Sequence, residues 1–529
     1  MSYIKNLLFF LMLLSLFFVT GCTNDIVIEE PTIPTPVVTP SPPPIIEPPA
    51  DPPAPQEPID IDTGILFTNA PAIRTFDLIA VEFATAMGVG WNLGNALDAF
   101  NAGRASETAW NNSTIQPGLF PALRKAGFTN VRIPVTYIGR VDSVADGYEN
   151  FYIHTDWLNR VEEVVNYALD ADLYVTINIH HDGGNNFRGG AWLSVEEYPH
   201  NLHPNWQNSG LDIELNQEYI RARFAAMWEQ IATRFKNYDA RLVFEGLNEL
   251  RELNNYSNPV GSYSMENLNI LNQIFVDTVR ATGGNNAYRY LVAAGYLTQP
   301  HITSNPALGF RMPTDTVPYR LMLSIHYYDP WHFALNTENL DVFRWGQEID
   351  NLRLPLNNDT WGNEPHARNT FQVLYDVFVS QGYPILLGEF GVHDKSDIDV
   401  VNHEYRRYWL EYKTRAMLEI GGFVPIYWDN GNGRGEGFER FQIFHRTQFR
   451  PVYEDIVFAL VRAPYSTSRP LFSPQVIEES FAQFTYDPYV RNLFLTAVDA
   501  ATQFRDNITI QTLYSVETAY RELILATMW

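Results

Sequence analysis

A chain of 529 residues with 46% apolar and 14% aromatic content holds enough material for one large core plus appendages, which excludes disorder of the whole. Its 36 basic against 61 acidic residues, a net charge of -25, exclude a nucleic-acid surface of clustered Lys and Arg and favour a neutral or cationic substrate. A single cysteine excludes any disulfide within the chain.

The first element is an apolar run from Leu7 to Val19, preceded by Lys5 and ending in Val19-Thr20-Gly21-Cys22. It is too short for a comfortable membrane span. The run resembles a bacterial lipoprotein signal, so residues 1–22 are expected to be removed or modified, with Cys22 the lipidated first residue. The partners then expected are a membrane, through that lipid, and no nucleic acid; the place is the cell envelope, facing outward. An ordinary secretory signal with an incidental cysteine is the alternative, and either reading takes the protein out of the cytoplasm. Residues 23–64 are rich in Pro, Thr and acidic side chains, and no Lys or Arg occurs between Lys5 and Arg74. Such a segment cannot bury enough apolar surface to fold; polyproline II at ~3.1 Å per residue makes it a stalk of on the order of 100 Å.

Beyond the stalk, short runs rich in Val, Ile, Leu and Phe alternate with segments of helical period. The predicted strands are Met87 to Trp91, Asn130 to Pro134, Leu173 to Ile179, Arg241 to Glu245, Tyr290 to Ala294, Leu321 to Ile325, Pro384 to Gly388 and Phe423 to Tyr427. Between the second and third strands lies TDWLNRVEEVVNYALDAD (155–172), where Trp157, Val161, Val164, Val165 and Ala168 share one helix face. Eight strands each followed by a helical segment predict an α/β fold, a (β/α)8 TIM barrel over residues 65–462. An open doubly wound sheet competes, but no Gly-rich phosphate turn follows the first strand.

A barrel places chemistry at the C-terminal ends of its strands. Those ends carry Asn92 and Asn95 after the first, Arg132 within the second, His180-His181-Asp182 after the third and Asn248-Glu249 after the fourth. They also carry His326-Tyr327-Tyr328 after the sixth, Glu389 after the seventh and Trp428-Asp429-Asn430 after the eighth. A lone Asn-Glu pair is more often a solvated turn; polar residues at seven strand ends together point to a site. Two carboxylates facing each other across a barrel mouth suit cleavage of a glycosidic bond.

At GWNLGNALD (90–98), ETAW (107–110), FTNVRIPVTY (128–137), NIHHD (178–182), FEGLNE (244–249), VRATGGNNAYRYL (279–291), SIHYYDP (324–330), LGEFG (387–391) and YWDNG (427–431) the chain resembles glycoside hydrolase family 5. The likeness is strongest to its endo-β-1,4-glucanase and xyloglucanase branch. The resemblance implies a retaining mechanism with Glu249 as general acid/base and Glu389 as nucleophile, and a β-glucan polysaccharide as substrate. It implies Asn248 on the sugar 2-hydroxyl, Tyr328 on the nucleophile, His326 near the sugar hydroxyls, and Asn92, His180 and His181 as further substrate contacts. Arg132, inward-pointing in a barrel strand, is the natural partner for an ionised Glu389. Trp428 is the expected sugar platform.

A metal is not expected. Adjacent histidines on an extended strand diverge, so His180 and His181 suit one ion badly, and no Cys/His cluster completes a ligand set. No cofactor is expected either, and a monomer is the working expectation. Trp110, Trp192, Trp206, Trp331, Trp345 and Trp361 fall in loops on the mouth side and argue for a long open cleft and endo action, although some will only pin loops. Residues 463–529 lie outside the resemblance; their helical pattern suggests a packing extension of unknown role rather than a β-sandwich binding module. The function expected is hydrolysis of β-1,4-glucan, cellulose-like, with xyloglucan or another hemicellulose as the alternative substrate. A glycan-binding protein on a disabled barrel is the alternative of another class.

Overall fold

The structure is a computed structural model that describes residues 70–143, 151–183, 191–196, 216–252, 262–338, 340–353, 359–431, 440–463 and 468–527. The N-terminal apolar run, Cys22, the proline-rich stretch and Trp206 lie outside the described residues.

Eight parallel strands close into a barrel in chain order: β1 (Gly90–Asn92), β2 (Asn130–Ile133), β3 (Tyr174–Asn178), β4 (Leu242–Glu245), β5 (Leu291–Ala294), β6 (Leu321–Tyr327), β7 (Ile385–Phe390) and β8 (Phe423–Tyr427). Gly90 closes the ring, paired with Asn130 on one side and Ile426 on the other. All eight strands fall where the apolar runs predict them. The first begins three residues late because α1 (Ala80–Met87) runs up to it and Gly88, at φ 63°, makes the break. Helices α2 (Leu119–Ala126), α3 (Thr155–Asp170), α4 (Gln217–Arg234), α5 (Ser262–Ala281), α6 (Pro300–Thr303), α7 (Glu364–Val377), α8 (Asn402–Ile420) and α9 (Glu454–Val461) follow the strands in turn. In α3 the predicted face of Trp157, Val161, Val164, Val165 and Ala168 is the buried one. This is the (β/α)8 barrel of the sequence pattern.

Two packing layers set the site's height. α1 stops the N-terminal end: Phe83 stacks on Tyr290 at 3.7 Å and meets Tyr174 edge-on at 5.3 Å, over Val243, Val292, Met322, Leu386 and Val424 from five strands. With an apolar floor below, polar side chains can point inward only towards the opposite end. Beyond α9, α10 (Pro474–Phe481), α11 (Pro488–Asp506) and α12 (Ile510–Thr527) pack against α8. Their seam is apolar around Phe472, Phe504 and Tyr520, and Glu517 accepts two hydrogen bonds from Arg344 (2.6 and 2.7 Å) and one from Tyr405.

Candidate active site

Arg132 organises the barrel mouth. Fully buried, it donates Nε to Glu245 (2.7 Å), Nη1 to both Glu389 (2.9 Å) and Asn92 (3.1 Å), and Nη2 to Asn248 (2.8 Å). A guanidinium can be held dry only if its donors are matched, and here each of its three nitrogens has a partner.

β7 bulges at the site. Ile325 pairs with Leu387, but His326 pairs with Glu389, which leaves Gly388 as the extra residue. A Cβ at Gly388 would lie 3.1 Å from His326 Nε2 and 3.4 Å from Arg132 Nε, so the crowding itself calls for glycine. The bulge brings Glu389 level with His326. Gly246 does similar service after β4: its amide continues the ladder to Val292, and a Cβ there would strike Phe275 at 2.8 Å. The chain turns out of the sheet at that point and presents Asn248 and Glu249 to the mouth.

Glu389 takes Arg132 on one oxygen and the Tyr328 hydroxyl (3.1 Å) on the other, and it is almost buried. Glu249 is 38% exposed and shares a 2.6 Å contact with His326 Nδ1, which stands 3.6 Å from Glu389. Oxygens of the two glutamates and His326 Nδ1 lie within 4.8 Å of one another. Burial raises the pKa of Glu389, against the lowering pull of His326 and Arg132, and the charge of Glu249 adds to the rise. Burial pushes Glu249 the same way, but the hydrogen bond and charge of His326 outweigh it and hold Glu249 below the ordinary glutamate value. The two carboxyls titrate as a pair.

The histidines after β3 depart from expectation. Their rings do not diverge but lie 4.4 Å apart, edge to face, because strand alternation ends at Asn178. His180 is buried 3.9 Å from Glu389 and kept neutral, its pKa pushed well below normal by burial and the cations around it. His181 stands 3.6 Å from Asp98 and 5.3 Å from the Trp110 ring. Asp182 turns away, accepting from the Tyr137 amide (2.8 Å) and Trp192 Nε1 (2.9 Å). Tyr327 points away and packs on Phe371. Trp428 sits over Gly94, where a Cβ would meet its ring at 2.7 Å, and lies parallel to His180.

Asn92 is a correction. It is completely buried, with Oδ1 accepting from Arg132 and Nδ2 donating to the carbonyls of Gly388 (2.8 Å), Tyr427 and Ile426, so it locks β1 to β7 and β8 and presents no surface to the mouth. Trp192 and Trp345 are core side chains, not cleft walls: Trp192 carries Arg223 over its ring and Trp345 carries Lys413. Among the described residues Trp331, which opens the short helix Trp331–Ala334, and Trp361 are exposed, and Trp110 is half-buried. One buried site residue has no role in the sequence pattern, Glu245. Glu245 is a third carboxylate, wholly buried between Arg132, Asn178 (3.0 Å) and Ser324 (2.6 Å). The signal was present, since an acidic residue closing an apolar strand next to an inward arginine must be paired with it.

A (β/α)8 barrel that presents two glutamates at the ends of β4 and β7, an oxygen of each within 4.8 Å of one of the other, has the paired carboxylates that glycoside hydrolysis requires. A family model, Cellulase (glycosyl hydrolase family 5), matches residues 95–434. The chain belongs to glycosyl hydrolase family 5 and is a glycoside hydrolase. It is 42% identical over 388 residues to Endoglucanase A of Paenibacillus barcinonensis, covering 72% of this chain and 90% of that one. Among solved structures it is similar to a family 5 xyloglucanase from Paenibacillus pabuli, at 40% identity and a TM-score of 0.64 over 72% of this chain and 99% of the other. A broad specificity endoglucanase from Bacteroides salanitronis is similar at 36% identity and TM-score 0.64, over 74% and 96%.

Proposed function

We propose that the chain is an endo-acting β-1,4-glucanase in which Glu389 attacks the anomeric carbon and Glu249 protonates the departing oxygen, then activates the water that frees the sugar. The closeness of the two carboxylates, an oxygen of each within 4.8 Å of one of the other, carries the reading, because it fits the ~5–5.5 Å carboxyl spacing of retention better than the ~6.5–9.5 Å of inversion. Arg132 and Tyr328 each hold one oxygen of Glu389 and so aim its attack. Asn248 accepts from Arg132 Nη2 at Oδ1 and turns Nδ2 to the sugar 2-hydroxyl, a contact that strengthens as charge develops at the reacting carbon. Trp428, His180 and His181 line the sugar's other side.

Catalysis needs the proton on Glu249 and the charge on Glu389. Sugar binding favours that state: it covers the partly exposed Glu249, removing the water that favours its ionised form, while Arg132 and Tyr328 stay on Glu389. The substrate proposed is unbranched or lightly branched β-1,4-glucan; xyloglucan is the second reading, supported by the likeness to a xyloglucanase. Exposed Trp331 and Trp361 beyond β6 support a cleft open along its length and hence endo action. Attachment to the outer face of the cell envelope through Cys22 is part of the proposal and rests on the sequence of residues 1–22.

Initial rates on carboxymethyl cellulose, mixed-linkage glucan, xyloglucan, xylan and mannan, with Glu389→Ala as blank, test it. Rapid chain shortening on glucans that vanishes in the variant supports the reading and ranks the substrates. A folded protein that binds a glucan but cuts none overturns it in favour of a glycan-binding protein.

A further inference from the structure

We propose a divalent transition-metal site at the edge of the barrel mouth, formed by His301, Asp329 and His366. The three side chains come from separate connections: His301 from α6 after β5, Asp329 from the loop just past β6, and His366 from the first turn of α7. Both imidazole Nε2 atoms lie 3.9 Å from the same atom, Asp329 Oδ2, and the three donor atoms fall within 4.8 Å of one another. At 3.9 Å neither contact is a hydrogen bond. His366 Nε2 is shielded from solvent and has no hydrogen-bond partner among the described residues. A buried ring nitrogen without a partner is costly, and a convergent carboxylate and second imidazole are the groups that would relieve it through a shared cation.

The spacing suits such an ion after a small closure. Bonds of ~2.1 Å in a tetrahedral centre set donor atoms about 3.4 Å apart, so each ring has to move inward by about half an ångström. His301 is 53% exposed and has room for that movement. The other two are already held: Trp361 meets the His366 ring edge-on at 5.5 Å, and Trp409 Nε1 donates to the Asp329 carbonyl at 3.3 Å. Two imidazoles and one carboxylate select zinc, nickel or copper over calcium and magnesium, which take oxygen ligands. With three protein ligands the ion keeps an open position. Its expected action is to tie the connections after β5 and β6 to the start of α7, next to Tyr328, which is the residue before Asp329.

The test is calorimetric titration of zinc chloride into the full chain after dialysis against EDTA, with thermal unfolding of the same samples. Saturable binding of about one equivalent and a higher melting temperature with zinc are expected, and His366→Ala and His301→Ala should each weaken binding by about tenfold or more. His332→Ala, whose imidazole pairs with Asp359 instead, should leave the isotherm unchanged. His301 is exposed enough that its loss cannot endanger the fold, so its result stands even if His366→Ala proves unstable. No saturable heat, or zinc binding indifferent to both His301 and His366, overturns the proposal; the second result would place the metal on other histidines.

Discussion

Arg132 serves two carboxylates at once, and that division of labour makes separate predictions for each. Removing the nucleophile in Glu389→Ala should lower kcat by roughly ten-thousand-fold on glucan, read as released reducing ends, with the melting temperature little changed. Glu245→Gln keeps the shape but takes away the charge that shares Arg132. The guanidinium should then pair more strongly with Glu389 and lower its pKa, so kcat should fall while KM stays within about twofold. His326 lowers both glutamates through its charge and lowers Glu249 through its hydrogen bond as well. Without it both pKa values rise, so in His326→Ala both limbs of the kcat/KM profile should move to higher pH, on top of a lower maximum. A profile that loses height without moving would show that His326 acts on the sugar alone.

At the scale of elements, β4 and β7 carry the carboxylates and α1 carries none of the chemistry. Phe83 on α1 is sandwiched against Tyr290 and Tyr174 in the barrel floor, so Phe83→Ala should destabilise by ~3–5 kcal/mol in urea unfolding and leave KM untouched. The strands were legible because each is a continuous apolar run, and the helices because their apolar residues recur at three and four. The bulge at Gly388 was not: nothing in the order of Leu-Gly-Glu-Phe-Gly states that one residue of β7 is skipped opposite β6. Nor does strand alternation tell where it stops, which is why the divergence expected of His180 and His181 fails two residues past the end of β3.

For the whole molecule, the three C-terminal helices are sealed to the barrel by a salt bridge rather than tethered beside it. Glu517→Ala would leave Arg344 buried without its carboxylate partner and should cost ~3–5 kcal/mol, seen as a lowered melting temperature, with glucan hydrolysis normal at low temperature. Loss of sugar affinity instead would mean that the helices belong to the cleft. The tryptophan count misled for a related reason. Composition and loop position cannot distinguish Trp192 and Trp345, which are buried under Arg223 and Lys413, from Trp331 and Trp361, which face water.

The barrel and the residues at its mouth can be read along the chain, because periodic burial and strand order are local properties. What those residues do to each other depends on how the strands are brought together in space. Asn92 became a clamp, Glu245 a partner of Arg132, and His301, Asp329 and His366 a cluster, since each depends on atoms brought together from distant strands whose distances no spacing along the chain encodes.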